Sequence, residues 1–159
     1  TGATTVTGLD HLEGKLVSLL ADGSVKPDQT VVSGAVSIGS TAASVIIGGL
    51  PFTSILEPMD LETREEAGSS QGRRRKIHAV VVRFYKTLGA KIGSSSSVLD
   101  TIPFRTPSDL MGNPPPLFTG DKVVPFPGGY DRHGYIRITQ EQPLPMTVLA
   151  IEAVVNTGD

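Results

Sequence analysis

Four consecutive cations form the charged cluster that merits weighing as a binding site: Arg73, Arg74, Arg75 and Lys76. Such a cluster could contact DNA, because lysine and arginine neutralise backbone phosphates. It could instead contact the acidic tract of a neighbouring subunit, or consist of solvated residues that keep the following hydrophobic strand soluble. The sequence leaves these three interpretations open. A low aromatic content without tryptophan argues against stacking of single-stranded bases.

The residue types that bind metals or transfer protons do not fall into a catalytic pattern. The three histidines are far apart in sequence, and there is no HExxH motif or acidic calcium loop: His11, His78, His133. His78 alternates with valines, which indicates a packed or strand-end residue. Residues 131–133 (DRH) follow Pro-Gly-Gly, where a polar hairpin turn is expected. The acidic residues before the cationic cluster have the spacing of a solvated loop: Glu57, Asp60, Glu62, Glu65 and Glu66.

Nucleotide and nucleophile motifs do not occur in the sequence in the structural context that they require. Residues 89–94 (GAKIGS) lack the GxxxxGK[ST] order of a phosphate loop and are predicted to form a hairpin turn. No GxGxxG fingerprint is present, and residues 68–72 (GSSQG), which match the letters GxSxG, lie in a polar tract predicted to be a loop or linker and not in a strand-to-helix nucleophile elbow. We therefore expect a protein that is not an enzyme and has no catalytic residues, cofactor, metal or small-molecule substrate.

Composition indicates an ordinary globular protein. Of 159 residues, 38% are hydrophobic and 19% charged, and the net charge of −2 gives no general attraction to polyanions. The lack of cysteine excludes disulfides and fits assembly in a reducing cytoplasm. No apolar run approaches the roughly 20 residues that span a bilayer, so no membrane insertion is expected. The 18 glycines and 12 prolines favour short strands and turns over long helices.

Short apolar runs separated by turn residues predict an all-β fold in two parts. In residues 1–60, five or more strands at close spacing predict a small antiparallel barrel-like unit, with Asp22-Gly23 as a tight hairpin turn. Residues 61–72 are polar and predict a mobile loop or linker. Residues 73–159 are expected to form a β-sandwich-like unit with long proline-containing loops.

The second part is predicted to be built around residues 77–88 (IHAVVVRFYKTL). Alternation and helical spacing both fit this stretch, and its β-branched residues and flanking glycines favour a strand. Residues 105–116 contain four prolines and are expected to form an ordered surface loop, because proline cannot donate to a strand ladder. Further strands are expected within residues 98–104, 117–126, 134–139 and 146–155.

Five phrases occur in an order that resembles a known protein family. They are residues 8–25 (GLDHLEGKLVSLLADGSV), 49–61 (GLPFTSILEPMDL), 72–93 (GRRRKIHAVVVRFYKTLGAKIG), 117–121 (LFTGD) and 142–155 (QPLPMTVLAIEAVV). Together they resemble the C-terminal part of the tail nozzle or tail stabilisation proteins of short-tailed bacteriophages and related prophages. Members of that family are usually much longer, so the chain, which starts without methionine, looks like an excised domain.

The resemblance implies a non-enzymatic component of the virion tail that is assembled in the cytoplasm of the bacterial host. It implies copies arranged in a ring, expected to be a hexamer, together with other tail proteins. DNA leaves the particle through the centre of such a ring, so non-specific proximity to DNA is possible. An alternative is a β module that binds carbohydrate or the host surface. Sugars usually stack on aromatic rings, and here the tyrosines Tyr85, Tyr130 and Tyr135 and the five phenylalanines could serve.

Overall fold

The computed structural model describes residues 2–59, 61, 64–65, 68–69 and 73–157. Its described residues are organised in antiparallel strands, with one 3-10 turn at Asp10–Leu12, which confirms the predicted all-β class. The strands are β1 (Thr5–Thr7), β2 (Leu16–Ala21), β3 (Ser24–Thr30), β4 (Ala35–Ser37), β5 (Ile46–Gly49), β6 (Ser54–Leu56), β7 (Arg64–Glu65), β8 (Gly68–Ser69), β9 (Arg75–Thr87), β10 (Lys91–Gly93), β11 (Leu99–Thr101), β12 (Phe118–Pro125), β13 (Arg137–Gln140) and β14 (Val148–Thr157).

Contacts between residues divide the chain into two compact units. Unit 1 comprises Thr1–Thr53, Arg105–Pro116 and Glu141–Leu144; unit 2 comprises Ser54–Phe104, Leu117–Gln140 and Pro145–Asp159. The proline-bearing loop, which has no strand as expected, thus belongs with residues much earlier in the chain. β6 lies within the first part predicted from the sequence, yet it pairs with β13 in unit 2.

Unit 1 contains two small open sheets, β1-β4 and β3-β2-β5. Its core consists of buried apolar side chains on and around these strands: Val17, Leu19, Ala21, Val31, Val36, Ile38 and Ala43. None of the sheets in the described part closes into a barrel, so the barrel-like expectation is corrected to open sheets. One physical reason is Pro27 within β3, where the register with β2 shifts, because proline suits an edge strand or a bulge.

The predicted hairpin turn joins β2 to β3. Asp22 and Gly23 both have positive φ, 47° and 81°, as a two-residue hairpin loop of this type requires. The Asp22 carboxylate also accepts hydrogen bonds from the backbone N–H groups of Ser44 (3.0 Å to Oδ2) and Val45 (2.7 Å to Oδ1). The turn therefore fixes the segment that leads into β5.

Unit 2 contains a three-stranded sheet, β12-β9-β14, and a four-stranded sheet, β11-β10-β13-β6. Each sheet turns apolar residues into the interior, such as Val82 on β9 and Ile138 on β13, as expected for a sandwich-like unit. β9 is a strand and lies in the centre of its sheet, which confirms the strand interpretation of residues 77–88. Residues 91–93 form β10, so the hairpin turn predicted over residues 89–94 is limited to the bend before it.

Within the predicted linker 61–72, the described residues form a short antiparallel pair, β7 with β8. Leu61 is also described, and the remaining linker residues lie outside the described part of the chain. The structure therefore shows paired backbone in a segment that composition alone predicts to be a loop or linker.

A β-bulge in β9 changes which side chains point inward. Ala79 pairs with Val154 and Ile77 with Val155, so His78 is the extra residue opposite two consecutive residues of β14. Because a one-residue insertion reverses the alternation, Val80 and Val82 are buried after the bulge, whereas Ile77 and Arg75 are buried before it. His78 itself is exposed, and the regular alternation predicted through this residue is corrected accordingly.

Candidate functional site

The cationic cluster predicted from the sequence is split by the structure. Arg73 and Arg74 are exposed, Lys76 is half-buried, and Arg75 is only 4% exposed. Arg75 therefore does not belong to the outward-facing cationic surface, whereas its neighbours remain accessible for the predicted subunit or DNA contact. Of the acidic residues, Glu57 forms an ion pair with Arg137, with Oε2 and Nη1 3.2 Å apart. The side chains of Asp60, Glu62, Glu65 and Glu66 lie outside the described part.

Two local features turn Arg75 inward. Because of the bulge at His78, the side chains of residues 75 and 77 point into the interior of unit 2. In addition, the backbone of Arg75 forms an antiparallel bridge with the backbone of Asp131. In that bridge Arg75 N donates to Asp131 O (2.7 Å) and Asp131 N donates to Arg75 O (2.8 Å). Gly134, with φ of 61°, packs closely on the arginine stem, because a Cβ there would lie 2.8 Å from Arg75 Cδ.

A cavity of about 150 Å³ lies beside Arg75 within unit 2. Its walls come from the start of β9, from the loop between β12 and β13, and from Ser94 after β10. The lining residues include charged, hydroxyl-bearing and aromatic side chains: Arg75, Ile77, Ser94, Phe126, Gly128, Gly129, Tyr130, Asp131, Gly134 and Tyr135. Segments that lie 17 to 60 residues apart in sequence are thereby brought to one place. Among the lining residues, the sequence indicated Arg75 as a possible subunit or DNA contact, and Tyr130 and Tyr135 as possible sugar contacts of the alternative function.

Two tyrosines give this cavity an aromatic character. Tyr130 is 56% exposed and Tyr135 is 40% exposed, so each presents part of its ring to solvent. The His133 ring stacks on Tyr135 with centroids 5.4 Å apart and an angle of 10° between the planes. His133 thus supports the Tyr135 ring. The sequence had indicated both tyrosines as possible sugar contacts, but it predicted only a turn at residues 127–133 and did not bring these tyrosines together with Arg75.

The residues 131–133 lie in the loop between β12 and β13. Asp131 combines the bridge to Arg75 with a hydrogen bond from Arg132 N to its Oδ1 (2.6 Å). The backbone of Asp131 therefore holds the loop against β9, whereas its side chain forms a hydrogen bond within the loop. Residues 131–133 therefore have a structural role, because the bridge between Asp131 and Arg75 positions one wall of the cavity.

The three-stranded sheet of unit 2 presents a second candidate surface. Within the described strands, β9 is paired on both sides, whereas β12 and β14 each pair with β9 alone. On the face opposite the core, Val123 of β12 is 69% exposed and Val154 of β14 is 52% exposed. They lie opposite Val81 and Ala79 of β9, so both valines are on one face of the sheet.

An ion pair marks one end of the same face. Arg83 of β9 donates to Asp121 of β12 through Nε to Oδ1 (2.7 Å) and through Nη2 to Oδ2 (2.8 Å). The hydrogen bonds from Arg83 lower the pKa of the Asp121 carboxyl, and the same bonds raise the pKa of Arg83. The pair is exposed to solvent, so it fixes the cross-strand geometry more than it stabilises the fold.

The histidines do not come together in the structure. His11 lies in the 3-10 turn, His78 in β9 and His133 in the loop before β13, and all three are exposed. In the described ranges there is no group of three or more His, Asp or Glu side chains that could hold a metal ion. The same ranges contain no helix that is long and apolar enough to cross a membrane.

No protein-family model matches the chain, and no curated protein matches it. Function is therefore inferred from two features of the described residues, the cavity beside Arg75 and the sheet β12-β9-β14.

Proposed function

We propose that the chain is a non-catalytic structural module of the tail of a short-tailed bacteriophage, in which copies associate side by side in a ring. The five phrases in order support the family, and the open edges of the sheet β12-β9-β14 support the association. The edges are the observation that carries the proposal, since unpaired strand edges are templates for pairing with another chain.

β14 is better suited than β12 to such pairing, because β12 contains Asp121, Lys122 and Pro125. β14 runs for ten residues, Val148–Thr157, and Glu152 is its single charged residue. Natural proteins usually block an open edge with charges, proline or a very short strand. β14 has one charge, no proline and a length at the upper end of the usual range for strands, so its outer backbone groups suit the addition of a further strand.

The geometry of the sheet favours a second copy of the same chain as the partner. β12 and β14 lie on opposite sides of β9, and both are antiparallel to it. Pairing of β14 in one copy with β12 in the next would repeat a single head-to-tail contact, which forms a ring when the rotation closes. The same pairing would bring the exposed Val123 and Val154 to the junction on one face. Six copies are implied by the family resemblance alone.

The exposed cations fit the same arrangement. Arg73 and Arg74 immediately precede β9, the central strand of the associating sheet. In a tail ring these side chains would contact either a neighbouring subunit or the phosphates of passing DNA, without base specificity. The proposal places the protein in the virion tail, assembled in the host cytoplasm together with other tail proteins.

The test is a charge placed on the open edge. Val154→Lys places a cation on the exposed face of β14. A paired partner strand would lie next to this charge and partly bury it, so self-association should weaken about tenfold or more. Sedimentation velocity over a concentration series measures this directly. Circular dichroism should show an unchanged fold, because the side chain points to solvent.

Val32→Lys is the matched control, since it makes the same change at an exposed valine in unit 1. It should leave self-association unchanged. A wild-type chain that stays monomeric at its highest soluble concentration, or a Val154→Lys variant that associates as the wild type does, would overturn the edge-pairing mechanism. Electron microscopy of particles carrying the labelled parent protein tests the tail location separately.

A further inference from the structure

We propose that the cavity beside Arg75 binds one neutral sugar ring of a surface glycan. The proposal concerns a site distinct from the open strand edges and does not depend on ring formation. The first argument is size: a cavity of about 150 Å³ in a protein core is large enough to hold a benzene molecule. The cavity of unit 2 has a similar volume and is partly open to solvent, so it has room for one six-membered ring whose hydroxyl groups extend in part into solvent.

The second argument is the aromatic lining. One face of a pyranose ring is formed by C–H groups, and such faces pack on the π surface of tyrosine while the phenol hydroxyl bonds to polar groups. Tyr130 and Tyr135 both line the cavity and both keep part of their surface exposed. Because His133 stacks on Tyr135, that ring is held before any ligand arrives, which lowers the entropic cost of binding.

The third argument is the balance of charge in the lining. Asp131 supplies a carboxylate, which only accepts hydrogen bonds when ionised, and Arg75 supplies a cation, which only donates. Ser94 supplies a hydroxyl that does both. Sugar hydroxyls also donate and accept, so a neutral sugar matches this mixture. An ionised ring would be attracted by one of these two side chains and repelled by the other, so a charge gives the ligand no net advantage, and the occupant that we infer is neutral.

The open side of the cavity suits a residue within a longer glycan. Tyr130 and Asp131 are exposed residues at the rim, whereas Arg75 and Ile77 are buried at the inner wall. A terminal sugar could enter while its glycosidic bond points to solvent. A single ring with two aromatic contacts should bind weakly, with a Kd on the order of 1 mM. Several copies in one particle would raise the avidity for a polysaccharide without further contacts.

The experiment is an NMR titration of the full chain labelled with ¹⁵N. The probes are the methyl glycosides of glucose, galactose, mannose and N-acetylglucosamine, with methyl glucuronide as the acidic comparison. A binding neutral glycoside should shift the amide signals of residues 94 and 128–135 and leave unit 1 unchanged. Tyr130→Ala should weaken that binding about threefold to tenfold, because it removes one stacking surface.

Tyr85→Ala is the matched control, since Tyr85 is also a partly exposed tyrosine of unit 2 but does not line the cavity. It should bind the same glycoside with unchanged affinity. The proposal is overturned if no neutral glycoside shifts these signals, if Tyr130→Ala binds as the wild type does, or if the glucuronide binds more tightly than the neutral probes. These readouts do not involve self-association, so they fail or succeed independently of the tail proposal.

Discussion

At the scale of single residues, Asp22 illustrates how one exposed carboxylate can organise a turn. Its oxygens accept the N–H groups of Ser44 and Val45, and these hydrogen bonds lower its pKa, because they favour the charged form. We expect Asp22→Asn to lower the thermal midpoint at pH 7, since the amide is a weaker acceptor and can meet the N–H groups with its own donor. Thermal unfolding followed by circular dichroism measures the difference.

The effect of Asp22 should depend on pH in one direction. A carboxyl whose folded pKa is depressed stabilises the fold above its unfolded pKa, about 3.9, and loses that contribution as the pH falls through the lower folded value. The gap between wild type and Asp22→Asn should therefore close toward pH 2. Asp100→Asn, the same change at an exposed carboxylate of β11, is the control. A gap that widens in acid would contradict the assigned role.

The cationic cluster separates into residues with different expected effects. The double variant Arg73→Ser and Arg74→Ser changes exposed side chains, so stability should stay within about 0.5 kcal/mol while self-association weakens at low salt. Arg75→Ser removes a buried side chain whose stem packs on Gly134, and should cost about 1–3 kcal/mol. Urea unfolding and sedimentation velocity distinguish the two. If the double variant associates at low salt as the wild type does, Arg73 and Arg74 do not contribute to self-association and serve only to keep the strand soluble.

At the scale of elements, β9 shows how one extra residue redirects a strand. Its central valines follow the alternation that the sequence predicts, and the bulge at His78 reverses that alternation toward the N-terminal end. As a result, Arg75 lies at the inner wall of the cavity and His78 lies outside. The function proposed for the cavity therefore depends on an irregularity in the ladder.

A close approach between two strands gives a prediction for β10. A Cβ on Gly93 would overlap the carbonyl oxygen of Val98 and lie 2.7 Å from the carbonyl carbon, and backbone atoms cannot move aside cheaply. Gly93→Ala should therefore destabilise unit 2 by about 1–3 kcal/mol or more. Urea unfolding measures the loss. Gly49→Ala in β5 is the control, because a Cβ there meets nothing within 4 Å; an equal cost for both variants would contradict this explanation.

At the scale of the whole molecule, both candidate binding surfaces belong to unit 2. Unit 1 is held by its own apolar core, whereas unit 2 carries both the open-edged sheet and the cavity. The outer strands of the sheet have backbone groups that can pair with another chain, and the cavity has side chains that can bind a sugar. A tail protein that combines them could assemble through one surface and contact a glycan through the other, and the Val154 and Tyr130 variants address the two separately.

Local patterns in the sequence determined the class of the fold. The Asp22-Gly23 turn, the strand at residues 77–88 and the prolines of residues 105–116 each act on the backbone within a few residues, through positive φ, β-branched side chains and missing N–H donors. Such effects do not depend on distant parts of the chain. The same holds for the four adjacent cations, whose types and spacing can be identified without coordinates.

Only the tertiary structure decided which of these residues meet. The bulge at His78 depends on pairing with β14, more than seventy residues later, and the cavity depends on a bridge from Arg75 to Asp131. Both are hydrogen-bonded arrangements between segments far apart in sequence, and a single inserted residue reverses the exposed and buried faces. Periodicity within one segment contains no information about such pairing. For that reason the sequence indicated four equivalent cations, and the fold placed Arg75 inside.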